Sequence, residues 1–265
     1  MNIFLHEMRA YRKSTIIWTV SLMLIVVLFM SMFPAFSKDA ENFTKLLEGY
    51  PQAVRDAFGI NLENFFSILG YYCYALTFIT LSGAIQAMNL GTSIVSKEVR
   101  EKTADFLLTK PVTRTAVLTN KLLAALVSIM ITNVFYIAAA SFMAFQMKTE
   151  DFSYSTFLLL SLTMFFVQLI FLALGIIISV LVPRIKSVLS ISLGTVFAFY
   201  FLGMISSTTG DEAKRYISPF KYFDTAYIME NSSYEAPFLI VGLVFILITI
   251  IVSYIIYRNK DIHAV

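Results

Sequence analysis

Apolar residues run through this chain in six long blocks, at about 14–34, 65–95, 115–146, 155–182, 187–207 and 237–257. Each has the roughly 20 mostly apolar residues that a membrane-spanning helix needs. The second, third and fourth blocks are longer than that, which predicts tilt or extension beyond the bilayer. Between the blocks the pattern changes. Residues 1–13, MNIFLHEMRAYRK, set Phe4, Met8 and Tyr11 at helical spacing, with Asn2, His6, Glu7, Arg9 and Lys13 over much of the rest. That arrangement predicts an interfacial helix ahead of the first span. The segment 35–64 carries an apolar stripe of Phe43, Leu46, Leu47 and Tyr50, then Pro51 suited to start a second short helix and Gly59 suited to end it. Two short amphipathic helices are expected there, as a substrate vestibule or as a structural lid. Before the last block, Thr208-Thr209-Gly210 reads as a loop, and Tyr216, Tyr222 and Tyr227 suit an interface belt.

Composition turns these blocks into a class. The chain of 265 residues is 58% hydrophobic and 14% charged, with mean hydropathy +0.77. Soluble domains are about half apolar and a quarter charged, so the expectation is an all-α integral membrane protein, one membrane domain over 1–265 with little room for a soluble one. The first block follows Arg9, Arg12 and Lys13 as a secretory leader would. Its apolar part of about 18 residues exceeds the usual length of about 7–15, so it reads as a span. The single cysteine, Cys73, excludes an intrachain disulfide or a CxxC site. His6 and His263 lie near opposite termini and suggest no metal or triad geometry. Net charge +3, with no phosphate-tracking basic stripe, implies no nucleic-acid partner.

Charge also orients the chain. With Lys121 counted in its neighbouring loop, the side holding the two termini and the loops at 96–114 and 183–186 has 13 of the 20 basic residues but five of the 17 acidic ones. The positive-inside rule makes that side cytoplasmic. On this count the span cores carry no ionisable residue, which disfavours a proton- or ion-coupled carrier and an intramembrane protease. Gln86, Asn89, Asn133 and Gln168 are the notable amides, read either as interhelical hydrogen-bonding residues or as polar points on a translocation path.

The most charged stretch is SKEVREKTADFLLTKPVTR, Ser96–Arg114. Val99, Thr103, Phe106 and Leu107 fall on one helical face, and Glu98, Glu101, Lys102 and Asp105 mainly on the other. Glu98 and Lys102 form an i, i+4 pair in the favourable order. Pro111 breaks the helix, and Thr113 or Thr115 is placed to cap the next one. A topology anchor needs only Lys and Arg, whereas mixed charge over an apolar stripe suits docking onto a soluble partner. The residues alone leave both readings open.

The run KEVREKTADFLLTKPVTRTAVLTNKL resembles the loop after the second span of ABC type-2 permeases, the exporter-type membrane subunits of ATP-binding-cassette transporters. The matching positions are Glu98, Lys102-Thr103, Leu107-Leu108, Pro111, Arg114 and Lys121. LLEGYPQAVRDAFG and SPFKYFDTAYI resemble further segments of the same family, in the same order. The resemblance implies six transmembrane helices, an N-terminal elbow helix at 1–13, and a cytoplasmic coupling helix within 96–113. In that helix Glu98, Val99, Glu101, Lys102, Thr103, Asp105, Phe106 and Leu107 would dock on an ATPase. It implies two copies of a separate ABC ATPase subunit carrying ATP and Mg, no cofactor in this chain, a second permease subunit, and a multi-pass place in a bacterial cell membrane among lipid. The chain contains no G-x-x-x-x-G-K-[ST] phosphate loop of its own. Charge-free spans suit outward movement of a hydrophobic or amphipathic substrate such as a peptide, antibiotic or lipid, and the family also includes ion-efflux and resistance complexes.

Overall fold

The computed structural model describes residues 3–58, 60–62, 64–100, 112–182, 185–209 and 212–259. Among them there are helices and no strands. The helices are α1 Ile3–Lys38, α2 Ala40–Glu48, α3 Gln52–Ala57, α4 Ile68–Arg100, α5 Arg114–Met147, α6 Tyr154–Leu181, α7 Val188–Thr209, α8 Glu212–Arg215, α9 Thr225–Asn231 and α10 Ala236–Asn259. Six of these, α1, α4, α5, α6, α7 and α10, are long and apolar enough to cross a membrane, matching the six blocks read from hydropathy.

Two boundaries differ from the sequence reading. Residues 3–13 are not set off from the first span but run into it as one 36-residue helix. No proline or glycine lies before Pro34 to break the hydrogen-bond ladder. At 1.5 Å per residue this rod is about 54 Å long, well beyond a hydrocarbon core of about 30 Å. Thr208 and Thr209, expected in a loop, are the last residues of α7. Elsewhere local chemistry acts as expected. Thr113, one of the two expected caps, caps α5, its hydroxyl accepting from Ala116 N at 3.2 Å; Ser153, not anticipated, caps α6. Pro51 directly precedes α3, while Gly59 lies outside the described residues.

α4 and α6 form the centre. Over their most apolar stretches each is 61% buried within the molecule, against 17% for α7 and α10. They meet at glycines. A Cβ on Gly91 would stand 2.5 Å from the Leu172 carbonyl oxygen, and one on Gly175 would stand 2.6 Å from that of Met88. Absence of side chains there lets the two backbones touch, the usual basis of close helix association where lipid removes the hydrophobic drive. Around this pair, α1 packs along α5, α10 lies on α6, and α7 rests against α4.

The outer helices α1 and α5 bury their ion pair, an amide and hydroxyls, and leave many large apolar side chains exposed. The buried face of α5 includes Lys121, Ala124, Ala125, Ser128, Thr132, Asn133 and Ala140. Leu123, Met130, Val134, Phe135, Phe142 and Phe145 of the same helix are exposed. α1 buries Glu7, Thr19, Leu22, Val26, Met30 and Phe33 on one stripe and exposes Ile16, Ile17, Leu24 and Leu28. The helices alternate in direction, so α1 starts, α4 ends and α5 starts at one end, here the terminal face; α2, α3, α8 and α9 lie at the opposite, distal face. There Phe43 packs on Phe36 with ring centroids 4.5 Å apart, but Leu46 and Tyr50, from the same sequence stripe, are exposed.

A side chain placed at the glycine crossing has nowhere to go. Gly175→Leu is expected to lower the thermal midpoint of the detergent-solubilised chain and broaden its size-exclusion peak. The cost should be at least the roughly 1–3 kcal/mol typical of overpacking. Gly194, which has open space around it, is the control: Gly194→Ala should leave both measurements near wild type.

Candidate functional site

At the terminal face, three helices converge on one buried charge pair. Glu7 of α1 is 3% exposed and Lys121 of α5 is fully buried. Nζ of Lys121 lies 3.5 Å from Glu7 Oε1 and donates a hydrogen bond to the carbonyl oxygen of Ile94 on α4. That carbonyl belongs to the last turns of α4, where the helix dipole favours a cation. A turn further along α1, the Tyr11 hydroxyl and Ser93 Oγ are 3.0 Å apart. Lys97 Nζ stands 5.8 Å from the centre of the Tyr11 ring. The final turns of α4, directly ahead of residue 101, are thus tied to both α1 and α5.

This corrects the reading of the spans as free of charge. Lys121 is not a loop residue but sits inside α5, two turns from its start. The signal was present in the sequence: Phe4, Glu7, Met8 and Tyr11 share one helical face, so Glu7 belongs to the packed stripe rather than to the polar rest. Of the residues expected to dock an ATPase, Glu98 and Val99 lie in the last turn of α4 by backbone, with side chains outside the described residues. Glu101, Lys102, Thr103, Asp105, Phe106 and Leu107 fall outside the described residues altogether.

Deeper along the helices, three of the four amides singled out by sequence come together. Gln168 Nε2 donates to Gln86 Oε1 at 3.0 Å, Asn133 Nδ2 to Gln168 Oε1 at 2.6 Å, and Gln86 Nε2 to Thr132 Oγ1 at 2.9 Å. Thr132 gives its proton to the Ser128 carbonyl at 3.1 Å, so Thr19 of α1, 3.0 Å away, donates to it. The network joins α1, α4, α5 and α6, and its members are buried. Most of its polar atoms are committed to neighbouring helices, which is the arrangement of an interhelical lock. Asn89 stands apart, half-buried. A second lock, not anticipated, links α4, α5 and α6: the Tyr72 hydroxyl bonds that of Tyr136 and lies 2.8 Å from Ser161 Oγ. Tyrosines inside apolar blocks read as bulk until the partner hydroxyls are placed.

Toward the distal face the helices part around a cavity of about 890 Å³. α4 contributes Cys73, Leu76, Thr77 and Thr80 to its wall, α6 Thr163 and Val167, and α7 Tyr200, Gly203 and Met204. Residues from the 52–64 segment and from 215–230 close it above. The upper loop is held firmly. Arg215 grips Glu235 with Nη1 and Nη2 at 3.2 and 2.5 Å and lies 4.2 Å from the Phe238 ring centre. Ser218 Oγ donates to the Phe199 carbonyl at 2.7 Å. Tyr222, expected in an interface belt, is instead buried, its hydroxyl donating to the Tyr216 carbonyl at 2.9 Å. Burial pushes its phenol above the ordinary tyrosine range. Tyr216 and Tyr227 stay partly exposed.

Six apolar helices, locked through their buried polar residues and opening into a cavity at one end, define a multi-pass membrane protein. The sequence model of the family described as ABC-2 family transporter protein matches residues 1–262, so the chain belongs to that family. Membership makes it a membrane transport component rather than a catalytic subunit, and implies association with an ABC ATPase. Among curated proteins there is no match.

Breaking the buried pair from one side strands a charge at the junction of three helices. Glu7→Leu or Lys121→Leu alone is expected to destabilise by about 3–5 kcal/mol, and the double variant by less than either. Unfolding titrations of all four proteins in the same detergent check this. A double variant as unstable as the sum of the singles would show that the two charges do not act as a pair.

Proposed function

We propose that this chain is the permease subunit of an ABC exporter. It would sit in a bacterial cell membrane with the terminal face and both chain ends cytoplasmic. Two copies of a separate ATPase, holding ATP and Mg, drive it, and a second permease, identical or related, completes the membrane unit. Residues 96–113 form the coupling region. Val99, Phe106 and Leu107 supply its docking face, and Glu98, Glu101, Lys102 and Asp105 set its polarity toward the ATPase. The substrate is hydrophobic or amphipathic and moves outward.

The observation that carries this reading is the tie among Glu7, Lys121 and the Ile94 carbonyl, backed by Tyr11 and Ser93. It lies immediately behind the coupling region in sequence. A push delivered to residues 101–111 enters α4 at Arg100 and α5 at Arg114, and the pair passes it on to α1. Three helices then move together rather than one helix bending alone. The amide network at Gln86, Asn133, Gln168, Thr132 and Thr19 couples the same helices, and α6 with them, deeper in the membrane. Both features suit a body that answers ATPase closure by shifting as a unit.

The test separates docking from transmission. Glu98→Arg with Phe106→Ala is expected to weaken ATPase co-purification about tenfold or more, as loss of an interface anchor does. The Glu7→Leu, Lys121→Leu pair should leave co-purification intact but lower substrate-stimulated ATP hydrolysis. Full co-purification and coupled hydrolysis in the docking variant would overturn the assignment of residues 96–113.

A further inference from the structure

The distal cavity carries chemistry that the permease reading does not use. Its volume of about 890 Å³ is within the range of about 300–1,000 Å³ typical of small-molecule sites. The deeper wall is mostly apolar or weakly polar, with Leu76, Thr77, Val167 and Met204 on three different helices. Charge in its lining is confined to the two closing segments, and part of it is already committed. Arg215 is paired with Glu235. Asp224 caps α9, with Oδ1 accepting from Ala226 N at 2.8 Å and Tyr227 N at 3.1 Å. Glu230 is exposed at the rim.

Arg55 is different. It lines the cavity from α3 and is half-buried, and its guanidinium has no ion pair or side-chain hydrogen bond among the described residues. Lys221, on the opposite closing segment, also lines the cavity, with its stem over Gly203. A half-buried guanidinium whose donors are unspent among the described residues favours a planar or tetrahedral oxyanion. The wall beneath it favours an apolar body.

We propose that the distal cavity binds an amphipathic anion. Its carboxylate, phosphate or sulfate head meets Arg55, and its apolar part lies along α4, α6 and α7 between Thr77, Val167 and Met204. The inference rests on the permease reading only for what the ligand is for: the binding itself needs neither the ATPase nor transport. The head could come from an anionic lipid of the surrounding leaflet or from a soluble amphiphile, and the chemistry at Arg55 is the same.

The full chain in phosphatidylcholine nanodiscs provides the assay, with a dodecyl phosphate bearing a photoreactive diazirine near its tail as the probe. Cross-links should map to α4 within 73–80 or to α7 near 203–204. Unlabelled dodecyl phosphate should compete, and dodecyltrimethylammonium should not. Inorganic phosphate should compete only weakly, because it lacks the tail. Arg55→Gln should weaken competition about tenfold, with Arg55→Lys keeping most of it. Thr77→Trp should abolish labelling by filling the cavity, and the thermal midpoint shows whether each variant is folded. Phosphatidylglycerol in the nanodisc displacing the probe assigns the ligand to lipid, and displacement by the soluble amphiphile alone assigns it to a diffusing molecule. Labelling that is spread over α10, or that is indifferent to Arg55→Gln and Thr77→Trp in folded protein, overturns the proposal. Loss of ATPase co-purification would bear on the coupling region alone and leaves this result standing.

Discussion

The contact on which the rest of the molecule depends is the backbone crossing of α4 and α6. Gly91 and Gly175 bring each helix against the other's carbonyls, and this spacing decides what the neighbouring positions can reach. Gln86 and Gln168 bond directly across the interface because the backbones are close enough for two amides to meet without a bridging water. From there the network reaches Asn133 and Thr132 on α5 and Thr19 on α1. Take away the crossing, and these amides become polar groups in an apolar setting with no partners, a cost of several kcal/mol each. The glycines and the amides are therefore one device in two parts: the first permits approach, and the second rewards it.

Polarity in this protein marks where helices touch protein rather than where they touch water. The packed faces of α1 and α5 take in threonine, serine, alanine, an amide and an ion pair beside apolar residues such as Leu22, Phe33, Ile129 and Tyr136, while many leucine, isoleucine and phenylalanine side chains point outward. That inversion of the soluble pattern follows from the solvent. Lipid is as apolar as leucine, so a large aliphatic side chain gains little by turning inward, whereas a hydroxyl or amide gains a hydrogen bond that lipid cannot offer.

The same inversion explains what could be read from the sequence. Span number was legible, because length and apolarity decide it whatever the packing; each of the six blocks falls on one long helix. The facing of the helices was not, since a helix that is apolar all round has no wet side to mark the opposite one as inner. Gln86, Asn133 and Gln168 stood out as amides, but nothing in the chain said which would meet. Lys121 was assigned to a loop because it lies near the start of an apolar block; partners far away in sequence, Glu7 on α1 and the Ile94 carbonyl on α4, make its burial tolerable. Tyr222 shows the same limit: a tyrosine near a span end suits an interface, and only the fold puts the Tyr216 carbonyl where its hydroxyl can bond. The distal cavity rests on the meeting of two separate loop segments over three helices, a relation that no local pattern encodes.

The unbroken course of α1 ties together parts of the molecule that sequence separates. Near one end it holds Ser93 and Lys121 through Tyr11 and Glu7; near the other, Phe36 packs on Phe43 of α2 and on Tyr71 of α4. A helix resists stretching far more than it resists bending, so it behaves as a strut between those contacts. Along it, Pro34 is the one residue that cannot donate to the ladder, and it stands a half-turn from the Phe36 cluster. The stiff part of the strut therefore covers almost its whole length, and its compliance is gathered beside the segment that leads into the roof of the distal cavity.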